Sequence, residues 1–140
     1  VTDPEMTRFS ITMDDALDLV YYGIAEGWGG EIILPISSSY KVGDVATAVA
    51  PDAEQRVIGA RAGEKMHESM FTEIDAPNTA QRDKYYIICP ITGTAAWNRN
   101  DYCVKTGAKP VPDGFVYSSE KNKSWLTVDA IRTLLSNTGN

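Results

Sequence analysis

An amphipathic helix pattern followed at once by a short apolar run constrains the fold most strongly. Thr12 with Asp15 three residues later forms a capping-box pattern, which predicts that the helix begins there. Residues 31–36 then read as a strand, whose continuous apolar run is typical of strands covered on both faces. One face of the helix is defined by four apolar side chains at helical spacing: Leu17, Val20, Tyr21 and Ile24.

Helical and strand patterns continue to alternate along the chain. Residues 42–50 predict a second helix, residues 55–60 a second strand, and a short helix then ends near residue 70. Residues 85–89 form a third apolar run, whereas residues 91–113 give no clear element. The inward side of the second helix is assigned to Val45, Val49 and Ala46.

Thr127 predicts the start of a final helix with an apolar face. That face consists of Val128, Ile131, Leu134 and Leu135. Alternating helices and strands favour a mixed α/β fold, and 140 residues fit a single domain over 1–140.

Composition excludes several functional classes. The net charge of −6 argues against nucleic acid as a partner, because phosphate backbones need clustered Lys and Arg. No apolar run approaches the ~20 residues that span a bilayer, so no membrane segment is predicted. The two cysteines, Cys89 and Cys103, form no disulfide or metal-binding pattern, and we interpret them as reduced thiols in a cytoplasmic protein.

The segment Arg61-Ala62-Gly63-Glu64-Lys65 is the strongest candidate binding motif. An arginine after a strand can hold a phosphate with its rigid fork of donors, and a glycine lets the backbone approach a ligand closely. Arg8, beside Phe9 and ahead of a helix, can meet an anion in a similar way. From spacing alone, a solvated turn and a surface arginine remain the favoured interpretations.

Other motifs carry less weight. His67 is the only histidine and has no partner pattern, so a structural role is favoured over a catalytic base. Tyr117 and Lys121 match a Tyr-x-x-x-Lys spacing, but their polar surroundings read as a loop and the match is interpreted as chance. Gly27-Trp28-Gly29-Gly30 lacks the glycine spacing of a dinucleotide-binding fingerprint.

Taken together, several stretches resemble one family in order and spacing. They are Thr2-Asp3-Pro4, Met6-Thr7-Arg8-Phe9, Ile11-Thr12, Gly29-Gly30-Glu31-Ile32, Ile58-Gly59, Arg61 to Glu68, Tyr117-Ser118-Ser119 and Trp125-Leu126. This series is similar to the carboxyl-terminal part of inverting UDP-N-acetylglucosamine 4,6-dehydratases, extended short-chain dehydrogenase/reductases of polysaccharide biosynthesis. The likeness covers nearly the whole chain.

The resemblance implies the fold and the site. The fold would be the small mixed α/β substrate-binding lobe of such an enzyme, without its Rossmann half. Residues that bind the cofactor NADP and perform catalysis would lie upstream, so no catalytic, cofactor-binding or metal residue is expected here, and the chain alone is predicted to be inactive. Six residues would contact a UDP-N-acetylhexosamine, with the two arginines on its diphosphate: Thr7, Arg8, Arg61, Ala62, Gly63 and Glu64. The family usually has proline at the position of Ala62.

Two other interpretations stay open. One is a stand-alone nucleotide-sugar-binding or regulatory module. The other is a structural or oligomerisation module in which the arginines are incidental. The expected macromolecular partner is either the missing Rossmann domain or a second copy of the chain, and in its absence Trp28 or the Tyr21 face would be left exposed.

Overall fold

The computed structural model describes residues 1–91 and 96–137 and shows a mixed α/β fold, as predicted. The helices of this described part are α1 (Met13–Glu26), α2 (Val42–Val49), α3 (Arg99–Thr106) and α4 (Val128–Asn137). Its strands are β1 (Thr7–Phe9), β2 (Ile32–Pro35), β3 (Ser39–Lys41), β4 (Ser69–Phe71), β5 (Thr79–Arg82), β6 (Tyr85–Ile88), β7 (Lys109–Pro110) and β8 (Tyr117–Ser118).

The chain folds into two compact units. The central unit contains residues 11–36 and 70–117, and the terminal unit contains residues 1–10, 37–69 and the chain from 118 onward. A single domain over 1–140 stays a prediction.

The central unit is built on a four-stranded antiparallel sheet in the order β2-β6-β5-β7. β5 and β6 form a hairpin in which Arg82 pairs with Tyr85, so the connecting turn has two residues. Asp83 takes a φ of +53° in that turn. Aspartate tolerates this left-handed conformation, which two-residue hairpin turns require.

The third apolar run of the sequence forms β6, which is buried on both faces. Tyr85 and Ile87 belong to a buried cluster that also contains Cys89, which directly follows β6, and Tyr102 of α3. Side chains alternate across a strand, so Tyr86 points to the opposite face. There it contacts an aromatic group formed by Phe71, Phe115 and Tyr117.

α1 confirms the predicted capping box but packs through a different face. Its Leu19 and Tyr22 pack against the core of the central unit. The predicted apolar face is instead exposed, with Leu17 at 47%, Val20 at 57%, Tyr21 at 66% and Ile24 at 78%. α1 therefore carries apolar side chains on two faces, as helices buried between two layers do. The expected exposure of the Tyr21 face is present, whereas Trp28 is partly buried against Trp97 and Tyr102.

β2 confirms the predicted strand, but its apolar run is not covered on both faces. It lies at the edge of the sheet, where β6 is its one partner in the described part of the chain, and Ile32 is 58% exposed. A continuous apolar run therefore describes both the buried strand β6 and this edge strand.

α3 lies within residues 91–113, for which no clear element was predicted. Asn98 caps it by accepting hydrogen bonds from the backbone of Asn100 and Asp101, and Gly107 ends it with a φ of +74°. The capping residues are therefore standard, but the apolar periodicity is weak because Tyr102 is its one buried residue. The adjacent residues 92–95 lie outside the described part.

The terminal unit combines the β1–β3 pair with α2 and α4, which pack together. Thr127 caps α4 as predicted, through its hydroxyl and the backbone N–H of Ala130, and Ile131 is buried. The inward placement of Val49 is wrong, since its side chain is 64% exposed and Ala48 is the buried residue of α2.

The predicted strand over 55–60 and the short helix before residue 70 are both wrong. Residues 55–60 are exposed and belong to no helix or strand, although Ile58 donates a backbone hydrogen bond to Val1 O. Gly59 has a φ of +83°, which lies outside the range of strand backbone. Within the part of the chain that the structure describes, no helix is long and apolar enough to cross a bilayer.

Thr12→Ala is expected to lower the free energy of unfolding at pH 7 by about 1 kcal/mol, because it removes the α1 cap. The hydrogen bond from Thr12 also lowers the pKa of the Asp15 carboxyl. Asp15 therefore contributes stability above its unfolded pKa of about 4, and this is lost as the pH falls through the folded value. Urea unfolding at pH 7 and pH 3 should show that the difference in unfolding free energy between the wild-type chain and Thr12→Ala becomes smaller in acid. Thr12→Ser, which keeps the cap, is the control, and equal stability of both variants would contradict the capping role.

Candidate functional site

The terminal unit brings Arg8 together with the turn that carries Arg61. Arg8 Nη2 lies 3.9 Å from Glu64 Oε1, and Glu64 Oε2 accepts a hydrogen bond of 3.1 Å from the backbone N–H of Arg61. Glu64 therefore links the two arginine-bearing segments, which the sequence alone could not place side by side.

Residues 61–64 form a tight turn. The backbone N–H of Glu64 donates to Arg61 O at 3.0 Å, which closes the turn on itself. Gly63 has a φ of +83°, a conformation that side chains rarely adopt. A Cβ at Gly63 would meet nothing within 4 Å, so this side of the turn is open. Ala62 is exposed beside it.

Arg8 is held tightly by backbone acceptors. Its Nη1 donates to Thr7 O at 2.7 Å and to Met66 O at 3.2 Å, and its Nη2 donates to Lys65 O at 3.0 Å. Nη2 also contacts the sulfur of Met6 at 3.7 Å. The planar guanidinium therefore fixes β1 against residues 65–66, a role that depends on its fork geometry.

Two carboxylates surround Arg8 but contribute little energy. Glu64 is 3.9 Å away and Glu68 Oε1 lies 3.8 Å from Arg8 Nε. These side chains are between 22% and 42% exposed, so solvent screens the pairs and each contributes about 0–1 kcal/mol. The carboxylates mainly offset the charge of Arg8.

Arg61 is in a different state from Arg8. It is exposed, and within residues 1–91 and 96–137 its guanidinium makes no ion pair or hydrogen bond. An arginine with all of its side-chain donors available can form bidentate bonds to a phosphate. Of the two predicted arginines, Arg61 thus offers the available donors.

Thr7, a predicted substrate contact, points into the protein. It is 3% exposed, and its hydroxyl lies 2.8 Å from His67 Nδ1 and 2.6 Å from Ser119 Oγ. His67 Nε2 in turn lies 3.3 Å from Glu120 Oε2. Substrate binding by the six predicted residues stays a prediction.

Sequence reasoning missed this polar cluster around Thr7. His67 and Ser119 both lie in stretches that resemble the family, but nothing in their spacing showed that they meet. Tyr117, in β8, and Lys121, beyond it, do not share a helix face, so their spacing has no Tyr-x-x-x-Lys geometry.

The central unit offers two further features of chemical interest. A surface concavity of about 500 Å³ is lined by Gln81, Arg82, Asp83, Thr106, Gly107 and Lys109, none of which is a predicted site residue.

The two cysteines, Cys89 and Cys103, are free. Burial raises the pKa of the Cys89 thiol to about 12, so Cys89 is protonated and poorly nucleophilic at neutral pH. Across the described ranges, no group of three His, Cys, Asp or Glu is placed to hold a metal ion.

Arg8→Lys is expected to lower the free energy of unfolding by about 1–3 kcal/mol, because an ammonium cannot replace the fork that satisfies three carbonyls. Amide hydrogen exchange over residues 64–68 should become faster. Arg61→Lys is the matched control and should change stability by less than about 0.5 kcal/mol. Similar effects of the two substitutions would contradict the distinct roles assigned to these arginines.

Comparison with known proteins shows that the chain is similar to part of two nucleotide-sugar enzymes. It is 36% identical over 141 residues to the inverting UDP-N-acetylglucosamine 4,6-dehydratase of Campylobacter jejuni, covering 99% of this chain and 42% of that protein. It is 32% identical over 141 residues to the UDP-glucose 4-epimerase of Rickettsia felis, covering 98% of this chain and 40% of the relative. The chain thus spans about 40% of the length of these relatives.

The fold has a solved counterpart. The X-ray structure of Pen from Bacillus thuringiensis superposes with a TM-score of 0.79 at 24% identity, covering 99% of this chain and 40% of that one. Residues 1–90, which contain both candidate arginines, match the sequence family described as polysaccharide biosynthesis protein. The resemblance seen in the sequence is confirmed, and the chain belongs to the polysaccharide biosynthesis protein family.

Proposed function

We propose that this chain forms the UDP-sugar-binding part of an NADP-dependent 4,6-dehydratase/5-epimerase that acts on a UDP-N-acetylhexosamine in surface polysaccharide or nonulosonic acid biosynthesis. The observation that carries the proposal is the free guanidinium of Arg61, on a glycine turn that Glu64 links to Arg8. The names of the relatives, a UDP-N-acetylglucosamine dehydratase and a UDP-glucose epimerase, support the UDP-sugar class.

In this proposal Arg61 makes the principal contact to the diphosphate. Its exposed donors can form two parallel hydrogen bonds to phosphate oxygens, which are stronger than bonds between neutral groups. The open side of Gly63 lets the diphosphate approach the backbone of the turn. Arg8 adds a second positive charge at the same place, although most of its donors hold carbonyl groups.

Glu64 has two roles in the proposed site. Its bond to the Arg61 backbone fixes the turn, and its carboxylate remains 29% exposed at the side of Arg8. A carboxylate in that position can accept hydrogen bonds from sugar hydroxyls while it offsets part of the positive charge. Binding would then depend on geometry as well as net charge, since Glu64 and Glu68 balance the two arginines.

The chain supplies binding rather than chemistry. In this proposal, NADP binding, hydride transfer and water elimination belong to residues outside this chain, which spans about 40% of the length of these relatives. We therefore expect the chain by itself to bind UDP and UDP-N-acetylglucosamine without turnover.

Calorimetric titration with UDP tests this proposal. Arg61→Ala should weaken UDP binding at least tenfold, because a charge-assisted hydrogen bond is worth about 1.5–3 kcal/mol. Arg132→Ala is the control, since Arg132 pairs with Asp129 within α4 and should leave binding unchanged. NADP should give no heat. Unaltered UDP binding in Arg61→Ala, or no binding by the wild-type chain, would contradict the proposal.

An oligomerisation module is the second candidate, favoured by the exposed apolar face of α1. If that face pairs two copies, the wild-type chain sediments as a dimer and Leu17→Glu as a monomer. Val104→Glu, which introduces the same charge at an exposed apolar residue of α3, is the matched control. A wild-type chain that is monomeric at concentrations of about 100 μM would contradict this candidate, because stable dimers are usually much tighter.

A further inference from the structure

A chain of hydrogen bonds joins three separate segments of the terminal unit. The backbone N–H of Glu68 donates to Ser119 Oγ at 2.9 Å, and Ser119 Oγ lies 2.6 Å from the hydroxyl of Thr7. That hydroxyl lies 2.8 Å from His67 Nδ1, and His67 Nε2 lies 3.3 Å from Glu120 Oε2. β1, residues 67–68 and residues 119–120 thereby meet at one point.

When His67 is neutral, the hydrogen bonds can all be satisfied with the donors arranged in one order. Ser119 donates to Thr7, Thr7 donates to His67 Nδ1, and Nε2–H donates to Glu120. Each hydroxyl then donates once, and the ring uses both nitrogens. The carbonyl of Thr7 is satisfied separately by Arg8 Nη1 at 2.7 Å.

The reverse direction is less favourable for a neutral ring. His67 Nδ1–H would donate to Thr7, Thr7 to Ser119, and Ser119 to Thr7 O at 3.1 Å. Nε2 would then present a lone pair to the Glu120 carboxylate, so two acceptors would face each other. The neutral imidazole is therefore assigned the Nε2–H tautomer.

This chain of hydrogen bonds lies next to both segments of the candidate diphosphate site. Thr7 directly precedes Arg8, and residues 67–68 follow the turn that carries Arg61. Ser119 is fully buried, and its backbone N–H also donates to Glu68 O at 2.8 Å. It therefore holds Glu68 by both its backbone and its side chain, while its hydroxyl holds Thr7.

We propose that His67 and Ser119 are positioning residues for diphosphate binding. They act by fixing β1 against the Arg61–Glu68 segment, which sets the distance between Arg8 and Arg61, and neither needs to touch the ligand. This role rests on the proposed UDP-sugar function. It follows from the general dependence of bidentate recognition on a supporting shell of hydrogen bonds.

UDP titration of substituted chains tests the role. His67→Ala should weaken UDP binding about tenfold, and His67→Asn should restore it to within about threefold, because the Asn carbonyl can accept the Thr7 hydrogen bond in place of Nδ1. Ser119→Ala should also weaken binding. Ser124→Ala is the matched control, since Ser124 Oγ bonds Ser38 at 2.8 Å on the exposed surface of the same unit.

The hydrogen-bond direction has a readout that needs no ligand. His67 is the single histidine, so a long-range ¹H–¹⁵N spectrum reports its ring without ambiguity. The wild-type chain at pH 8 should show the Nε2–H tautomer, and Ser119→Ala should give a mixture of tautomers. A wild-type Nδ1–H tautomer, or averaging in the wild-type chain, would overturn the role even if a variant failed to fold.

The outcomes separate the two proposals. Wild-type UDP binding with equal affinity in His67→Ala would overturn the positioning role and leave the proposed function intact. Absence of UDP binding by the wild-type chain would overturn the proposed function, and the positioning role with it. Weaker binding in His67→Ala with rescue by His67→Asn would support both.

Discussion

β6 pairs with β2 on one edge and with β5 on the other, and its side chains are buried on both faces. A strand in this position satisfies its backbone groups through two ladders while its side chains form two separate cores. Tyr85 and Ile87 connect the sheet to α1 and α3, and Tyr86 connects it to the aromatic group around Phe71. The architecture of the central unit follows from this strand.

In the terminal unit, hydrogen bonds rather than apolar packing hold the polar groups of the candidate site in fixed positions. Arg8 satisfies the carbonyls of Thr7, Lys65 and Met66, and the hydroxyls of Thr7 and Ser119 are buried together. Buried polar groups are costly unless they are bonded, so a fully bonded cluster specifies one arrangement of its segments. The result is a rigid base from which the exposed Arg61 can act.

The two arginines show why residue type alone does not assign a role. Both are guanidinium groups within a family-like stretch, yet one is fixed by three carbonyl oxygens and the other, in the described part of the chain, has no partner. Donors that already hold backbone groups are costly to redirect, because the hydrogen bonds that they make are then lost. Available donors carry no such cost, and this difference assigns Arg8 mainly to structure and Arg61 mainly to recognition.

The sequence by itself determined the mixed α/β class, the capped starts of α1 and α4, the apolar strand β6 and the family. These depend on local patterns and short motifs that carry their meaning within a few residues. It did not determine which face of α1 packs, because that helix is apolar on two sides and only its contacts decide between them. The prediction of a strand over residues 55–60 was wrong, because an apolar pattern contains no information on strand pairing.

Only the tertiary structure decided how the candidate site is assembled. Thr7, His67 and Ser119 are far apart in the chain, and their hydroxyl and imidazole groups meet through the packing of β1 beside residues 67–68 and 119–120. Hydrogen bonds of this kind depend on distances of about 3 Å and on angles that sequence spacing cannot supply across long separations. The motif residues were therefore readable from the sequence, while their relation to one another was fixed by the fold.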